Sequence, residues 1–286
     1  FLLENMLWSF LPWIFIFIWA FIAKFIKMFN EGLFDVQTER ISFFGFFLTY
    51  LVLSRSQAQL PHYIFVVFPL AAVLTAAHFA ALLEQADRLH KWIKWFFGFH
   101  VFIFLILLIA MGLISNIPFG KMGILGSLIL FGTFIIMIKI GSSHQNLIQK
   151  WIAMSLVLMI GLNLILNSFF YPHLLQYQWG NKLVQQAKEN NWDIKKTALY
   201  KIPNSNAFHF YGQHIFPVIK DSTLLKEGQW VVADSIPAQT LLLDFPNSTI
   251  LYHGNRFHVT LLTLEFLNPA TRSNELMPYV LMELKK

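Results

Sequence analysis

"SRSQAQLPHYIF", residues 54–65, stands between two runs almost free of charge, "ISFFGFFLTYLVL" (41–53) and "VVFPLAAVLTAAHFAALL" (66–83). An Arg, two Gln, a His and a Tyr gather where two oily segments meet. If both segments cross a bilayer, this knot lies at a membrane surface and the chain is a polytopic membrane protein. If they do not, it is an ordinary loop in an apolar core.

Composition favours the first reading. The chain of 286 residues is 56% hydrophobic and 13% charged, with 31 Phe and a mean hydropathy of +0.56. A typical soluble domain has about a quarter of its residues charged. Roughly 20 apolar residues cross a bilayer core. Six segments are expected to do so: about 7–28, 40–54, 62–83, 92–115, 119–140 and 149–170. The second is the shortest, in the range where a re-entrant or buried segment also fits. Charge decides for a crossing. With six spans, one side holds Lys24, Lys27, Arg40, Arg88, Lys91, Lys94, Lys139 and Lys150, and the loops of the other hold only Arg55 and Lys121. The basic side is then cytoplasmic. The N-terminus, the 54–63 knot and everything after residue 170 fall outside.

The expected organisation is therefore a membrane domain over 1–170 and an extracytoplasmic α/β domain over 171–286. The second part is a different material, mixed polar and apolar. "YPHLLQYQWGNKLVQQAKENNWDI" (171–194) reads as an amphipathic helix leaving the membrane, with Tyr171, Tyr177 and Trp179 as headgroup-level aromatics. Seven runs read as strands: "TALYKI", "IFPVIK", "QWVVADS", "QTLLLDF", "STILYHG", "FHVTLLTLEFL" and "YVLMEL". With no cysteine, this domain relies on its core rather than on disulfides. The net charge of +6 falls mostly in the cytoplasmic loops, and no basic stripe points to nucleic acid. No cleavable signal peptide is evident. The abrupt opening without Met gives the expectation that an N-terminal portion is missing.

In the knot, Pro61 opens the third segment, where its missing N–H costs nothing. The bland reading is an interfacial loop with an aromatic anchor. The functional reading is a site for an anionic headgroup, because Arg55, His62 and Tyr63 all donate hydrogen bonds to phosphate.

"QLPHYIFVVFPLAAVLTA" (59–76) resembles the K-L-P-x-Y-I-x-x-x-x-P segment of polyprenyl-phosphate-dependent membrane glycosyltransferases. That family includes the aminoarabinose transferases of lipid A and is similar to the protein O-mannosyltransferases. "FLPWIF" (10–15) resembles the start of an earlier span in the family. "FHFYGQHIFPVI" (208–219), with Phe210 and Tyr211, resembles an "FY" stretch in its C-terminal extracytoplasmic domain. The resemblance implies a partial GT-C-like helical fold and a lipid-linked sugar donor. It also implies transfer to a lipid, glycan or protein acceptor, and donor-phosphate binding by Tyr63, Arg55 and His62. The family's catalytic carboxylate sits in an early extracytoplasmic loop, which would lie upstream of Phe1. Where the family has Lys before Leu-Pro, this chain has Gln59, and Arg55 is the nearest replacement. The resemblance implies no particular cofactor or metal.

Other polar residues read as structural. His78 and His100 lie within spans and are expected to be neutral, packed and hydrogen-bonded. Asn163 and Asn167, four apart on one face, are expected to make helix–helix contacts. The pairs His209/His214 and His253/His258 lack clear metal spacing. Glu4 and Lys121 border the extracytoplasmic side without a catalytic assignment. The competing reading is a non-enzymatic, membrane-anchored module that binds a glycan or a protein. A transporter would require an inverted repeat, and none is visible.

Overall fold

The computed structural model describes residues 1–31, 40–57, 60–84, 86–120, 123–144 and 146–286. They form two compact units, one of residues 1–107 with 143–155 and one of residues 108–142 with 156–286. The chain is mostly helical, with a small mixed sheet near its C-terminal end.

The first helices are α1 (Leu2–Ser9), α2 (Ile14–Glu31) and α3 (Ile41–Arg55). A 3₁₀ helix (Pro61–Val67) then runs into α4 (Phe68–Glu84), and α5 (Ala86–Asn116) follows. Phenylalanines recur through the core of the first unit. Phe17, Phe43 and Phe46 are buried with Ile64, Val67, Ala71 and Leu74. Phe21 stacks on Phe43 at 4.8 Å between centroids, and Phe17 meets Phe46 edge-on at 4.8 Å. Such pairs add about 0.5–1.5 kcal/mol each beyond their buried area.

Four helical stretches are long and apolar enough to cross a membrane: His62–Leu82, Lys91–Asn116, Gly123–Gly141 and Leu147–Tyr177. The protein is a multi-pass membrane protein. The six expected spans are corrected at two places. The stretch expected to cross over 7–28 is a bent pair, α1 turning by 118° into α2, and it makes a fifth span only if the pair counts as one. The break falls at Pro12, whose missing N–H and ring interrupt the hydrogen-bond ladder. The second correction is α3, which has 15 residues. It is about 22 Å long against a hydrocarbon core of about 30 Å.

The second unit contains α6 (Gly123–Gly141) and the end of α7 (Leu147–Ile165). Ile124, Leu125, Leu128 and Phe131 on α6 are each more than 60% exposed. A helix that is apolar all round and unburied suits lipid on most of its surface. Beyond α7 the ladder widens into a π turn (Leu166–Phe170), tightens through α8 (Tyr171–Leu174) and ends in a 3₁₀ turn at Tyr177. Then come α9 (Trp179–Glu189) and α10 (Asn206–Gly212). The strands β1 (Thr197–Tyr200), β2 (Val218–Ile219), β3 (Trp230–Asp234), β4 (Thr249–Arg256) and β5 (Met277–Glu283) form one sheet ordered β2-β1-β3-β5-β4. β1 pairs in parallel with β2 and β3, whereas β5 runs antiparallel to β3 and β4. The central strands carry unbroken apolar runs at their middles, Ala198–Tyr200, Val231–Ala233 and Tyr279–Met282, because both faces are covered. Leu199, Val232 and Leu281 pack with Leu183, Val184 and Phe208 of α9 and α10. Val231, Ala233 and Met282 pack on the other face with Ala238 and Leu241 of α11 (Ser235–Asp244). The short helices α12 (Leu264–Leu267) and α13 (Arg272–Glu275) complete the domain.

Five of the seven expected strand runs hold a strand. "QTLLLDF" is instead the body of α11. Its signal was the preceding "DSIP", an Asp at the N-cap position and a Pro in the first turn, although the Asp234 carboxylate accepts from Arg256 instead of capping the helix. "FHVTLLTLEFL" is a turn leading into α12, because β4 has ended at Arg256. Thr263 caps α12 by accepting from the Phe266 N–H at 3.1 Å, and Phe266 alone of that helix is buried. Trp179, expected at headgroup level, is 6% exposed and belongs to the sheet core beside Phe208 and Tyr279. Asn163 and Asn167, expected to reach a neighbouring helix, donate instead to Met159 O and Asn163 O of their own helix, each at 2.9 Å. That bond satisfies an amide where no water is at hand.

One arginine ties the turn after α5 to the C-terminal segment. Arg272 donates to the carbonyl oxygens of Pro118 and Phe266, the latter at 2.9 Å, and to the Tyr177 hydroxyl at 3.4 Å. Its guanidinium also lies over the rings of Phe119, Phe266 and Tyr177, at 4.9, 5.3 and 5.7 Å.

Candidate functional site

The polar knot is built by two arms. α3 ends at Arg55, after which Ser56 turns extended (φ −64°, ψ 138°). Leu60 is extended (φ −109°, ψ 145°), as the residue before a proline must be, and Pro61 opens the 3₁₀ helix. The first turn closes by a bond from the Tyr63 N–H to Leu60 O at 3.0 Å. Leu53 on one arm and Ile64, Val67 and Phe68 on the other pack into one apolar cluster. That packing sets the arms side by side and leaves the polar residues at their tip.

Arg55 and His62 are exposed and Tyr63 is half-buried. The His62 and Tyr63 rings meet edge to face, with centroids 5.0 Å apart. Among the described residues, no partner takes up the Arg55 guanidinium, the His62 ring nitrogens or the Tyr63 hydroxyl. The structure thus brings His62 and Tyr63 into contact and sets Arg55 at the end of the neighbouring arm. Gln59 and Lys121 lie outside the described residues. Glu4, exposed on α1, belongs to a helix that packs against the 3₁₀ helix. The 118° bend at Pro12 brings α1 there, and "FLPW" was its signal in the sequence.

Below the knot, α4 carries one wall of an apolar cavity of about 320 Å³, lined by Phe10, Trp13, Ala72, Thr75, Phe79 and Ile152 among others. The Thr75 hydroxyl donates back to Ala71 O at 2.7 Å, so it presents its methyl group to the space. The cavity begins roughly 15 Å along the helix from Tyr63. Sequence reading missed it, because its walls come from segments far apart in the chain.

His78, His100 and His209 are structural in their surroundings. His100 is fully buried, its Nδ1 sits 2.9 Å from Phe96 O, and its ring packs 4.3 Å from Trp151. His78 packs edge-on against Trp19 at 5.3 Å. Its Nε2 is buried without a hydrogen-bond partner among the described residues, which departs from the hydrogen-bonded packing expected. His209 bonds Asn204 Oδ1 at 2.7 Å and accepts from the Phe216 N–H at 3.1 Å. No group of three or more His, Cys, Asp or Glu suited to a metal ion occurs among the described residues.

The arrangement at the tip offers a guanidinium, an imidazole and a phenol to an acceptor of negative charge. Above an apolar cavity, such a set suits a molecule with an anionic head and an apolar tail. No family model, curated protein or solved structure matches this chain.

Proposed function

We propose that this chain is part of an integral-membrane glycosyltransferase of GT-C-like fold that holds a polyprenyl-phosphate sugar donor. The observation that carries the reading is the unpartnered set Arg55, His62 and Tyr63 at the tip of two apolar arms. The apolar cavity along α4 and the family-like "LPHY" at 60–63 support it. Transfer from such a donor breaks the bond between the anomeric carbon and the phosphate oxygen. Negative charge grows on the departing lipid phosphate, and fixed donors beside it lower the barrier. A carboxylate takes the proton from the acceptor hydroxyl.

Binding tests the reading directly. Native mass spectrometry of the chain released from nanodiscs compares undecaprenyl phosphate with undecaprenol, which has the same tail and no phosphate. One charge-assisted hydrogen bond makes retention of the phosphate lipid about tenfold greater. The combination of Arg55→Gln with Tyr63→Phe removes the difference. Equal retention of the two lipids by the unaltered chain would overturn the proposal.

The reading also assigns an orientation. The sugar-transfer tip and the sheet domain lie outside the cytoplasm, in a multi-pass protein of the cytoplasmic membrane. The four long apolar stretches between residues 62 and 177 carry this orientation without α3, since an even number of crossings separates the tip from the tail. Reporter fusions are expected to place residues 84–91 and 141–148 in the cytoplasm and residue 286 outside. A cytoplasmic C-terminus would overturn the orientation and with it the site.

A further inference from the structure

The sheet domain carries a second cavity, far along the sequence from the knot. It encloses about 510 Å³ and is lined by Lys188, Asn191, Trp192, Lys195, Tyr211 and Gln213, with neighbouring residues of α9 and α10 behind them. That volume falls within the range of small-molecule sites, about 300–1,000 Å³.

Two helix ends form its rim. α9 closes with Asn191 in the left-handed region (φ 55°) and α10 closes with Gln213 there (φ 48°). Asn accepts that conformation more readily than most residues, and Gln does not. A strained non-glycine residue persists where its surroundings hold it, often at a binding site. Beyond Asn191, the Trp192 N–H bonds back to Ala187 O at 2.8 Å, and its ring meets Trp230 edge-on at 6.2 Å. Trp192 is therefore held at the rim by backbone and by packing. Across the rim Tyr211 is 46% exposed.

The polar ends are free. Among the described residues, none of the side chains of Lys188, Asn191, Lys195, Tyr211 and Gln213 has a hydrogen-bond or ion-pair partner. No Asp or Glu lines the cavity. The neighbouring carboxylates are engaged elsewhere, Glu189 with Gln185 and Gln186, and Asp193 with Lys196.

From this set we infer a binding site for an anionic sugar residue. Trp192 and Tyr211 offer ring faces to the C–H face of a pyranose. The amides of Asn191 and Gln213 both donate and accept, as paired sugar hydroxyls require. Lys188 and Lys195 supply two positive charges that the lining leaves uncompensated, which selects a sugar bearing a carboxylate or phosphate. The site is distinct from the lipid-phosphate knot and stands or falls without it.

Saturation-transfer NMR on the full chain in nanodiscs tests the site, with glucuronate, glucose and acetate as probes and empty nanodiscs as the blank. Glucuronate is expected to bind about tenfold more tightly than glucose, the gain of one charge-assisted contact. Acetate is expected not to displace it at equal concentration. Lys188→Gln with Lys195→Gln brings glucuronate to the level of glucose, and Tyr211→Ala weakens both sugars. These three side chains are exposed, so the fold tolerates the changes, and the unaltered melting midpoint checks that. Equal binding of glucuronate and acetate would mean an anion site only and would overturn the proposal. Equal binding of glucuronate and glucose, no saturation above the blank, or binding untouched by all three substitutions would overturn it too.

Discussion

On the proposed glycosyltransferase reading, Tyr63→Phe is expected to slow sugar transfer by about ten- to a hundredfold, because a hydrogen bond to a charged group is worth about 1.5–3 kcal/mol and each 1.4 kcal/mol is a factor of ten. The ring stays and only the hydroxyl goes. Its ring contact with His62 is kept, so insertion and expression should be unchanged. Arg55→Gln is expected to cost at least as much, since it removes a full charge where negative charge develops. If Arg55 stands in for the family's Lys, then Gln59→Lys restores part of the rate lost in Arg55→Gln. The measurement is transfer from a polyprenyl-phosphate sugar in membranes that contain the protein, with protein level followed in parallel. Unaltered rates in both single variants would return residues 54–63 to an interfacial loop with an aromatic anchor.

Arg272→Met is expected to lower the thermal midpoint in detergent by about 5–10 °C, corresponding to a loss of about 3 kcal/mol. Methionine has a similar reach and keeps contact with the rings of Phe119, Tyr177 and Phe266. It cannot donate to the carbonyl groups of Pro118 and Phe266, and a half-buried carbonyl without a donor is costly. Arg272→Lys keeps the charge but not the planar fork that spans two acceptors, so about half the loss is expected. A local reading separates this clamp from general destabilisation. Freed from Arg272, the turn after α5 becomes accessible, and chymotrypsin cleavage after Phe119 speeds up below the melting range. An unchanged midpoint with unchanged cleavage in Arg272→Met would show that the contacts contribute nothing.

Much of the architecture is dictated locally. The apolar stretches around 62–82, 91–116, 123–141 and 147–177 are helices for the reason composition gives: backbone in hydrocarbon must satisfy its own hydrogen bonds. Pro61 marks the start of a helix because proline fixes its own φ and pushes Leu60 into an extended conformation. The runs "TALYKI", "QWVVADS" and "YVLMEL" hold strands, and their apolar middles follow from a sheet covered on both faces.

Other features needed partners distant in sequence. "QTLLLDF" has strand-like composition, yet it is helical, because Pro237 sits in a first helical turn ahead of it and Ala238 and Leu241, three apart, face the sheet. Trp179 looks like a headgroup anchor until α9 turns it into the sheet core. The bend at Pro12 was legible as a break, but the packing of α1 on the 3₁₀ helix was not. Residues 54–63 were legible as a polar knot because they contrast with their neighbours along the chain. The cavity under Trp192 was invisible there. Its residues come from two helix ends some twenty positions apart, and none differs from an ordinary surface residue until the fold sets them around one space. Arg272 and Pro118, 154 residues apart, show the same limit, since local propensity specifies helices, strands and turns, while side-chain partnership across such distances exists only once the chain has packed.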